Sequence, residues 1–409
     1  MLATLILFLC AAVVLCSAFG KSNVETASVT ADCPSYRTKP VDAKDIRAVW
    51  INYLEFGEMI RDNDLSQFTQ QAEKCLDNLI GLSINTVYLH IRSHCDAFYE
   101  SEIFPYSYQI SGKQGQGCGY DPLGVFLELA HKREIRVEGW INPYRVAGGR
   151  SGLSGIAENS PIWDFSFDDG EIVTIDTGTF LNPSCKKSAD LIVKGVDEVL
   201  CKYNVDGIHF DDYFYPSADE SFDKKIYEKY SSSTENPLSL ADFRRNSVTD
   251  MIKSVYERVK KKDQTVFSIS PAADIEKDKN VLFADVEKWC LGGYCDFICP
   301  QIYFGFEYPK EGFDFLSLLE KWQSLCRDGA TGLVVGLAPY KIGKSDRESR
   351  EWIDCSDILK RQTEQAAEIG AGVSFYNYTA LFSEQEQNTA QRENLRSALN
   401  QTPPFNDEK

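Results

Sequence analysis

Histidine is scarce in this chain, four among 409 residues, and His90, His94, His131 and His209 form neither an HExxH helix nor a cage with paired carboxylates. That excludes the common zinc-hydrolase patterns, and no metal or other cofactor is expected. There is no P-loop, and no GxGxxG follows a strand, so phosphate-cradling nucleotide folds find no support. GxSxG is missing too, which removes the serine nucleophile elbow. Positive charge is in deficit: 43 basic against 61 acidic residues give a net charge of −18. Such a field repels nucleic-acid phosphates and anionic membrane surfaces, while a neutral or cationic partner remains compatible with it.

Charged residues are also missing from Leu2 to Phe19, and a polar stretch without hydrophobic period follows from Ser22 to Lys44. This reads as an export signal or membrane anchor over residues 1–20 with a flexible linker over 21–44, so the folded part is expected outside the cytoplasm, with any membrane contact confined to the N-terminal run. Cysteine, by contrast, is plentiful. Thirteen are present, eleven of them after Cys16, an odd number for an exported protein. Cys290, Cys295 and Cys299 lack the CxxC pairs of zinc sites, which points to buried free thiols or one local disulfide.

From Ile46 to about Leu381, short β-branched or aromatic runs alternate with helical stretches, the pattern of repeated βα units. Eight strands are expected: Ile46–Tyr53, Thr86–Ile91, Arg136–Asn142, Gly207–Asp211, Thr265–Ser270, Asp296–Tyr303, Gly332–Ala338 and Gly372–Tyr376. Eight such strands with crossover helices close into an α/β, (β/α)8 TIM barrel, a single domain over residues 45–385. The helix over Leu65–Gly81 is expected to bury Phe68, Ala72, Cys75, Leu76 and Leu79; further helices are expected at Pro122–Arg133, Ser184–Tyr203, Leu240–Lys261, Val281–Cys290, Phe313–Cys326 and Ser356–Ile369. Long connections, Val146–Leu181 and Pro216–Leu238, follow the third and fourth strands, on the side where a barrel builds its substrate groove. Residues 386–409 read as a polar C-terminal tail with a short helix through Leu395–Leu399.

The fourth strand carries the sharpest signal. In VDGIHFDDYFYP, alternation puts Gly207, His209 and Asp211 on one face, so that face ends in a carboxylate at the catalytic rim. Polar or aromatic residues recur at the same end of the other strands, where core packing would ask for Val, Ile or Leu. Asp211 is expected to be the barrel-facing carboxylate, and Asp212 the acid, provided that neighbouring rings desolvate it. Asp96, Asp274 and Glu307 are further candidates for the partner acid. Arg92 and Arg145 would orient the acids or grip an anionic substituent. Asn142, Asn182, Gln301, Asn377 and His209 would meet the polar groups of a ligand, and Trp140, Tyr213, Tyr303 and Tyr376 would offer ring faces to pyranoses.

In order along the chain, RAVWINY, HIRSHCDAFYES, GWINPYR, LNPS, DGIHFDDYFYP and PQIYFG resemble the motifs of the glycosyl-hydrolase-like 10 barrels of exported and lipid-anchored bacterial proteins, FDDYFYP being the most specific. The resemblance implies the (β/α)8 fold and hydrolysis of a polysaccharide, with bacterial wall glycan, the peptidoglycan strands, as substrate class. The fourth strand is also similar to the DGxDxDxE motif of family 18 chitinases, except that His209 stands where they have Asp and Tyr213 where they have the acid Glu. In the likeness to α-amylases Asp211 matches the nucleophile, yet the fifth strand continues as SISPAAD with no GE motif. The identity of the second carboxylate is therefore open, and a glycan-binding barrel without catalysis is the alternative reading.

Overall fold

The computed structural model describes residues 41–149 and 153–400. The uncharged run from Leu2, most of the expected linker and the end of the tail lie outside the described residues. Eleven strands are present among those described: β1 (Arg47–Ile51), β2 (Thr86–Arg92), β3 (Arg136–Ile141), β4 (Arg145–Gly148), β5 (Ile172–Ile175), β6 (Gly178–Leu181), β7 (Gly207–Phe210), β8 (Val266–Ile269), β9 (Phe297–Ile298), β10 (Gly332–Leu337) and β11 (Gly372–Tyr376). Eight of them close a parallel barrel in the order β1-β11-β10-β9-β8-β7-β3-β2, and β4, β5 and β6 form a separate antiparallel sheet.

The barrel strands are nearly continuous runs of buried residues because both faces are covered. Outward side chains such as Val49, Leu89, Ile208 and Phe210 pack against the surrounding helices. Inward, Ile46, Ala48, Trp50, Tyr88, Trp140, Phe297, Cys299 and Val334 fill the axis as a second cluster. Helix Leu65–Gly81 has the expected bounds and buries the expected five side chains, its start fixed by a reciprocal Asp64–Gln67 capping box. The cysteines from Cys75 to Cys355 are all free thiols.

Several elements depart from the sequence reading for local reasons. The first strand stops at Ile51, because Asn52 accepts hydrogen bonds from the Leu54 and Glu55 amides and opens an unforeseen helix, Tyr53–Ile60. β9 is only two residues long, since Pro300 has no N–H to donate, although Cys299 and Gln301 continue to bond to Ile269 and Pro271. The helix expected at Val281–Cys290 starts later and runs over Val286–Gly292, and an unforeseen helix, Ile275–Asn280, precedes it. The long connection after β3 carries the β4–β6 sheet, whose tight turn requires Gly178: its φ is 152°, and a Cβ there would meet the Ala147 carbonyl oxygen at 2.2 Å. The connection after β7 holds helix Lys224–Ser232 and is pinned by a buried Asp223–Arg244 ion pair to which the Tyr215 hydroxyl also donates. The helix in the tail begins at Glu386 and runs to Leu399, packed on helix Ile358–Glu368.

Candidate active site

Asp211 follows the last residue of β7 and turns into the barrel mouth. Its Oδ2 accepts from the Trp140 indole N–H at 3.0 Å and from the Asn142 amide at 3.2 Å, and its Oδ1 accepts from the Tyr213 backbone N–H at 3.2 Å. Trp140 and Asn142 come from the end of β3, so two adjacent strands fix one carboxyl. Asn142 is oriented in turn, because its side-chain oxygen accepts from the Arg145 N–H. Asp211 is 4% exposed. That burial, reinforced by the neighbouring Asp212 charge and opposed by Arg145 and the N–H donors, pushes its pKa up to about 7.

Asp212 is more open to solvent than Asp211. Burial also raises its pKa, but a hydrogen bond from Gln301 and the positive charges of Lys277 and Arg145 act against that rise. Two adjacent acids thus meet different surroundings, one enclosed and the other supported by an amide and two cations.

Rings surround the pair. His90 stacks on Trp140 with centroids 3.7 Å apart, and burial together with Arg145 and its neighbouring histidines holds its imidazole neutral. Tyr303 lies parallel to Tyr376 at 5.9 Å, with Tyr340 edge-on to both. Tyr213 is 52% exposed beside the mouth. The Arg145 guanidinium sits 4.9 Å from the Tyr213 ring and 5.7 Å from that of Tyr53, and its Nε donates to the Ser93 carbonyl. Among the described residues it makes no ion pair within 4.0 Å, so its remaining N–H groups are free for a ligand. A ring-lined mouth with a carboxyl pair and an unpaired guanidinium suits a polyhydroxylated ligand.

Of the residues singled out from sequence, Trp140, Asn142, Arg145, Asp211, Asp212, Tyr213, Gln301, Tyr303 and Tyr376 are brought together here. The others are not. His209 does share the inward face with Asp211, but it lies below the mouth: it stacks on Tyr88 at 4.0 Å, Nε2 accepts from the Trp50 indole at 3.0 Å, and Nδ1 bonds to the Ser268 hydroxyl. Fully buried with both nitrogens engaged, it cannot meet a ligand. Ser268 in turn donates to Glu138, a mid-barrel carboxyl that burial raises to about 7. Arg92 leaves the barrel interior where the β2–β3 register shifts, and lies over Phe104; a Cβ on Gly195 would meet its Nη1 at 1.9 Å. Asn182 spends its amide on the Gly170 carbonyl and its oxygen on the Ser184 N–H, so it ties a loop. Asp274 and Asn377 are helix N-caps. Buried Asp96 accepts from His94 and Ser107 and holds the loop after β2. Glu307 is exposed in a loop anchored through its backbone N–H to Glu351.

Sequence reasoning missed Tyr53. The spacing of Asn52 and Glu55 is a capping signal that would have placed Tyr53 at a helix start on the rim. Glu55 also bonds through its carboxylate to the Asn52 and Thr379 amides, tying the ends of β1 and β11 together.

Residues 45–354 match the family described as glycosyl hydrolase-like 10. The chain belongs to this family. It is 30% identical over 346 residues to glycosyl hydrolase YngK of Bacillus subtilis strain 168, covering 78% of this chain and 65% of that protein. It is 31% identical over 348 residues to glycosyl hydrolase DigH of Escherichia coli K12, covering 79% of this chain and 77% of the relative. Among solved structures, the PgaB (BpsB) glycoside hydrolase domain from Bordetella bronchiseptica superposes with a TM-score of 0.58 at 13% identity, over 87% of this chain and 99% of that one, a likeness of fold. This glycosyl-hydrolase-like chain is thus a TIM barrel among glycoside hydrolase barrels, as its sequence motifs imply.

Proposed function

We propose that this barrel is an exported glycoside hydrolase that cleaves O-glycosidic bonds of a bacterial polysaccharide, with peptidoglycan glycan strands as the substrate class. Cleavage of a glycosidic bond needs one carboxyl that gives a proton to the leaving oxygen and one negative group facing the developing oxocarbenium ion. The observation that carries the reading is the unequal pair at the mouth. Enclosed Asp211, held at about 7, has the proton affinity of a general acid at neutral pH. Asp212, with Gln301, Lys277 and Arg145 favouring its anion, is suited to be the carboxylate. These roles are the reverse of those expected from sequence, because burial and the neighbouring Asp212 charge raise Asp211, while Gln301 and Lys277 act against the rise at Asp212. Arg145 supports an anionic sugar substituent such as a lactyl carboxylate, which a guanidinium grips in bidentate fashion.

The test is to incubate the purified protein with peptide-free wall glycan and with other polysaccharides and to measure new reducing ends. Cleavage of the wall glycan that disappears in Asp211→Asn supports the proposal. Binding without new reducing ends in the wild type would replace it with a non-catalytic glycan-binding barrel.

A further inference from the structure

The indole that holds Asp211 has a support of its own. His90 and Trp140 are register partners on β2 and β3, and strand alternation turns both side chains inward, His90 two residues beyond Tyr88. Their rings lie face to face, 3.7 Å between centroids and 14° between planes. Tyr53, the first residue of helix Tyr53–Ile60, stands perpendicular to the imidazole at 5.5 Å. His90 is 1% exposed, yet neither of its nitrogens has a hydrogen-bond partner. A buried polar ring is ordinarily held through its nitrogens, as His209 is by Trp50 and Ser268. His90 is held by ring packing instead. On the other side of the stack, Trp140 spends its single N–H on Asp211 Oδ2 at 3.0 Å. That donor points in one direction within the indole plane, so a tilt of the ring takes it off the carboxyl. His209 meets Trp140 edge-on at 6.4 Å, which leaves the flat support to His90.

We propose that His90 is a positioning residue for the hydrolysis assigned above: its ring is the flat support that keeps the Trp140 indole in the orientation from which it donates to Asp211. The role of Asp211 rests on the hydrolase reading, but the coupling from His90 to Asp211 can be measured without substrate. The charged and titratable groups that face Asp211 are Asp212, Arg145, Tyr213 and Tyr376, and those that face His90 are Arg145, His94 and His209, with the Arg92 backbone acting on the imidazole short of a hydrogen bond. His90 is held well below the ordinary histidine range by burial and by Arg145, so it carries no charge at neutral pH. Its replacement by an uncharged side chain therefore leaves the charges around Asp211 as they are, and a change at Asp211 reports on the stack.

The experiment follows the indole N–H groups by nitrogen NMR and the aspartate carboxyls by carbon NMR through a pH titration of the full chain, in wild type, His90→Phe, His90→Leu and His90→Ala, with Trp140→Phe and Asp211→Asn identifying the two signals. In wild type the Trp140 indole signal should titrate with the Asp211 midpoint. A donated hydrogen bond favours the anion, so its loss in His90→Leu and His90→Ala should move that midpoint up by about one pH unit and detach the indole signal from it. His90→Phe keeps a flat ring and should keep both signals as in wild type. If His90→Ala does not fold, His90→Leu, which fills the space without a plane, decides. An indole signal that ignores Asp211 in the wild type, or an unchanged midpoint in His90→Leu, overturns the proposal. So does a His90→Phe that behaves like His90→Leu, because the nitrogens and not the ring plane would then be what matters. On glycan, kcat should fall about tenfold in His90→Leu with KM unchanged and the basic limb moved upward, and His90→Phe should restore both. Absence of any cleavage by the wild type would sink the hydrolase reading, while the substrate-free titration would still report on the stack and Asp211.

Discussion

Glu138 in mid-barrel and Asp211 at the mouth are two buried carboxyls on the same axis, both raised to about 7 and both chiefly by burial. Their surroundings differ. Glu138 ends a chain of hydrogen bonds from Trp50 through His209 and Ser268, among fully buried side chains, with its other oxygen unpartnered. Asp211 is held from the barrel side by Trp140 and Asn142, and beside it lie a second acid, a guanidinium without an ion pair and a ring of tyrosines. Perturbed proton affinity alone therefore does not distinguish a catalytic acid from a structural one. What distinguishes them is an approach for a substrate and a complementary group on the far side of it.

The largest contrast between the two should appear in turnover. Asp211→Asn removes the proton donor while keeping an acceptor for Trp140, and should lower kcat by about 10²–10⁴-fold with little change in folding. Glu138→Gln should leave kcat within a few-fold. Because an acid works only while protonated, the wild-type rate should fall as the pH rises through about 7. That basic limb should survive in Glu138→Gln. Rate profiles of the two variants on the same glycan test this, and a basic limb that moves with Glu138 would reverse the assignment.

The barrel and its central strand were legible from sequence because their signals are periodic. Alternation along β7 correctly put His209 and Asp211 on one inward face, and the stripe from Phe68 to Leu79 marked the buried side of its helix. Legibility failed where period gives way to local chemistry. The register shift near the end of β2 turns Arg92 outward, and a side chain's direction past such a shift cannot be counted from the strand. Asn182, Asp274 and Asn377 look like rim ligands by position but satisfy backbone groups, as short polar side chains next to turns commonly do. Depth was the other hidden quantity: alternation assigns His209 to the interior without saying how far below the mouth it lies.

The next contrast concerns stability. A carboxyl that binds its proton more tightly in the folded state stabilises the fold at low pH, and that contribution is lost as the pH rises from its unfolded value to its folded one. For Glu138 the window runs from 4.5 to about 7. The loss is on the order of 3 kcal/mol. Glu138→Gln should therefore be more stable than wild type at about pH 8 and similar at about pH 4, as read by urea unfolding. Removing the middle of the hydrogen-bond chain should give a dependence of the opposite sign: burial holds the His209 imidazole down to about 3, so the wild type loses stability as the pH falls from 6.5 toward 3, and the cost of losing His209 is largest above 6.5 and shrinks below it. His209→Phe fills the space against Tyr88 but strands the Trp50 N–H and one contact of Ser268, a loss of about 1–3 kcal/mol. Its kcat/KM should stay near wild type, and a large catalytic loss with the fold intact would show that mid-barrel and mouth are coupled.

The smallest effect is expected at the outer edge of the mouth. Tyr213 is half exposed and its ring lies against Arg145, so replacement by Ala removes a sugar-facing surface and one wall that holds the guanidinium. An exposed cation–π contact contributes about 0.5–1 kcal/mol, and the lost ring face adds a similar amount. Together these correspond to a rise in KM of roughly 5–30-fold, with kcat nearly unchanged because the Tyr213 backbone N–H still serves Asp211. Arg145→Met should behave differently from Tyr213→Ala. Arg145 lowers the pKa of Asp211, so its loss should move the basic limb of the rate profile upward as well as raise KM, most of all on glycans bearing a carboxylate. If both variants changed KM equally on anionic and neutral glycans and left the pH profile alone, Arg145 would be a prop for the tyrosine ring rather than a contact for substrate.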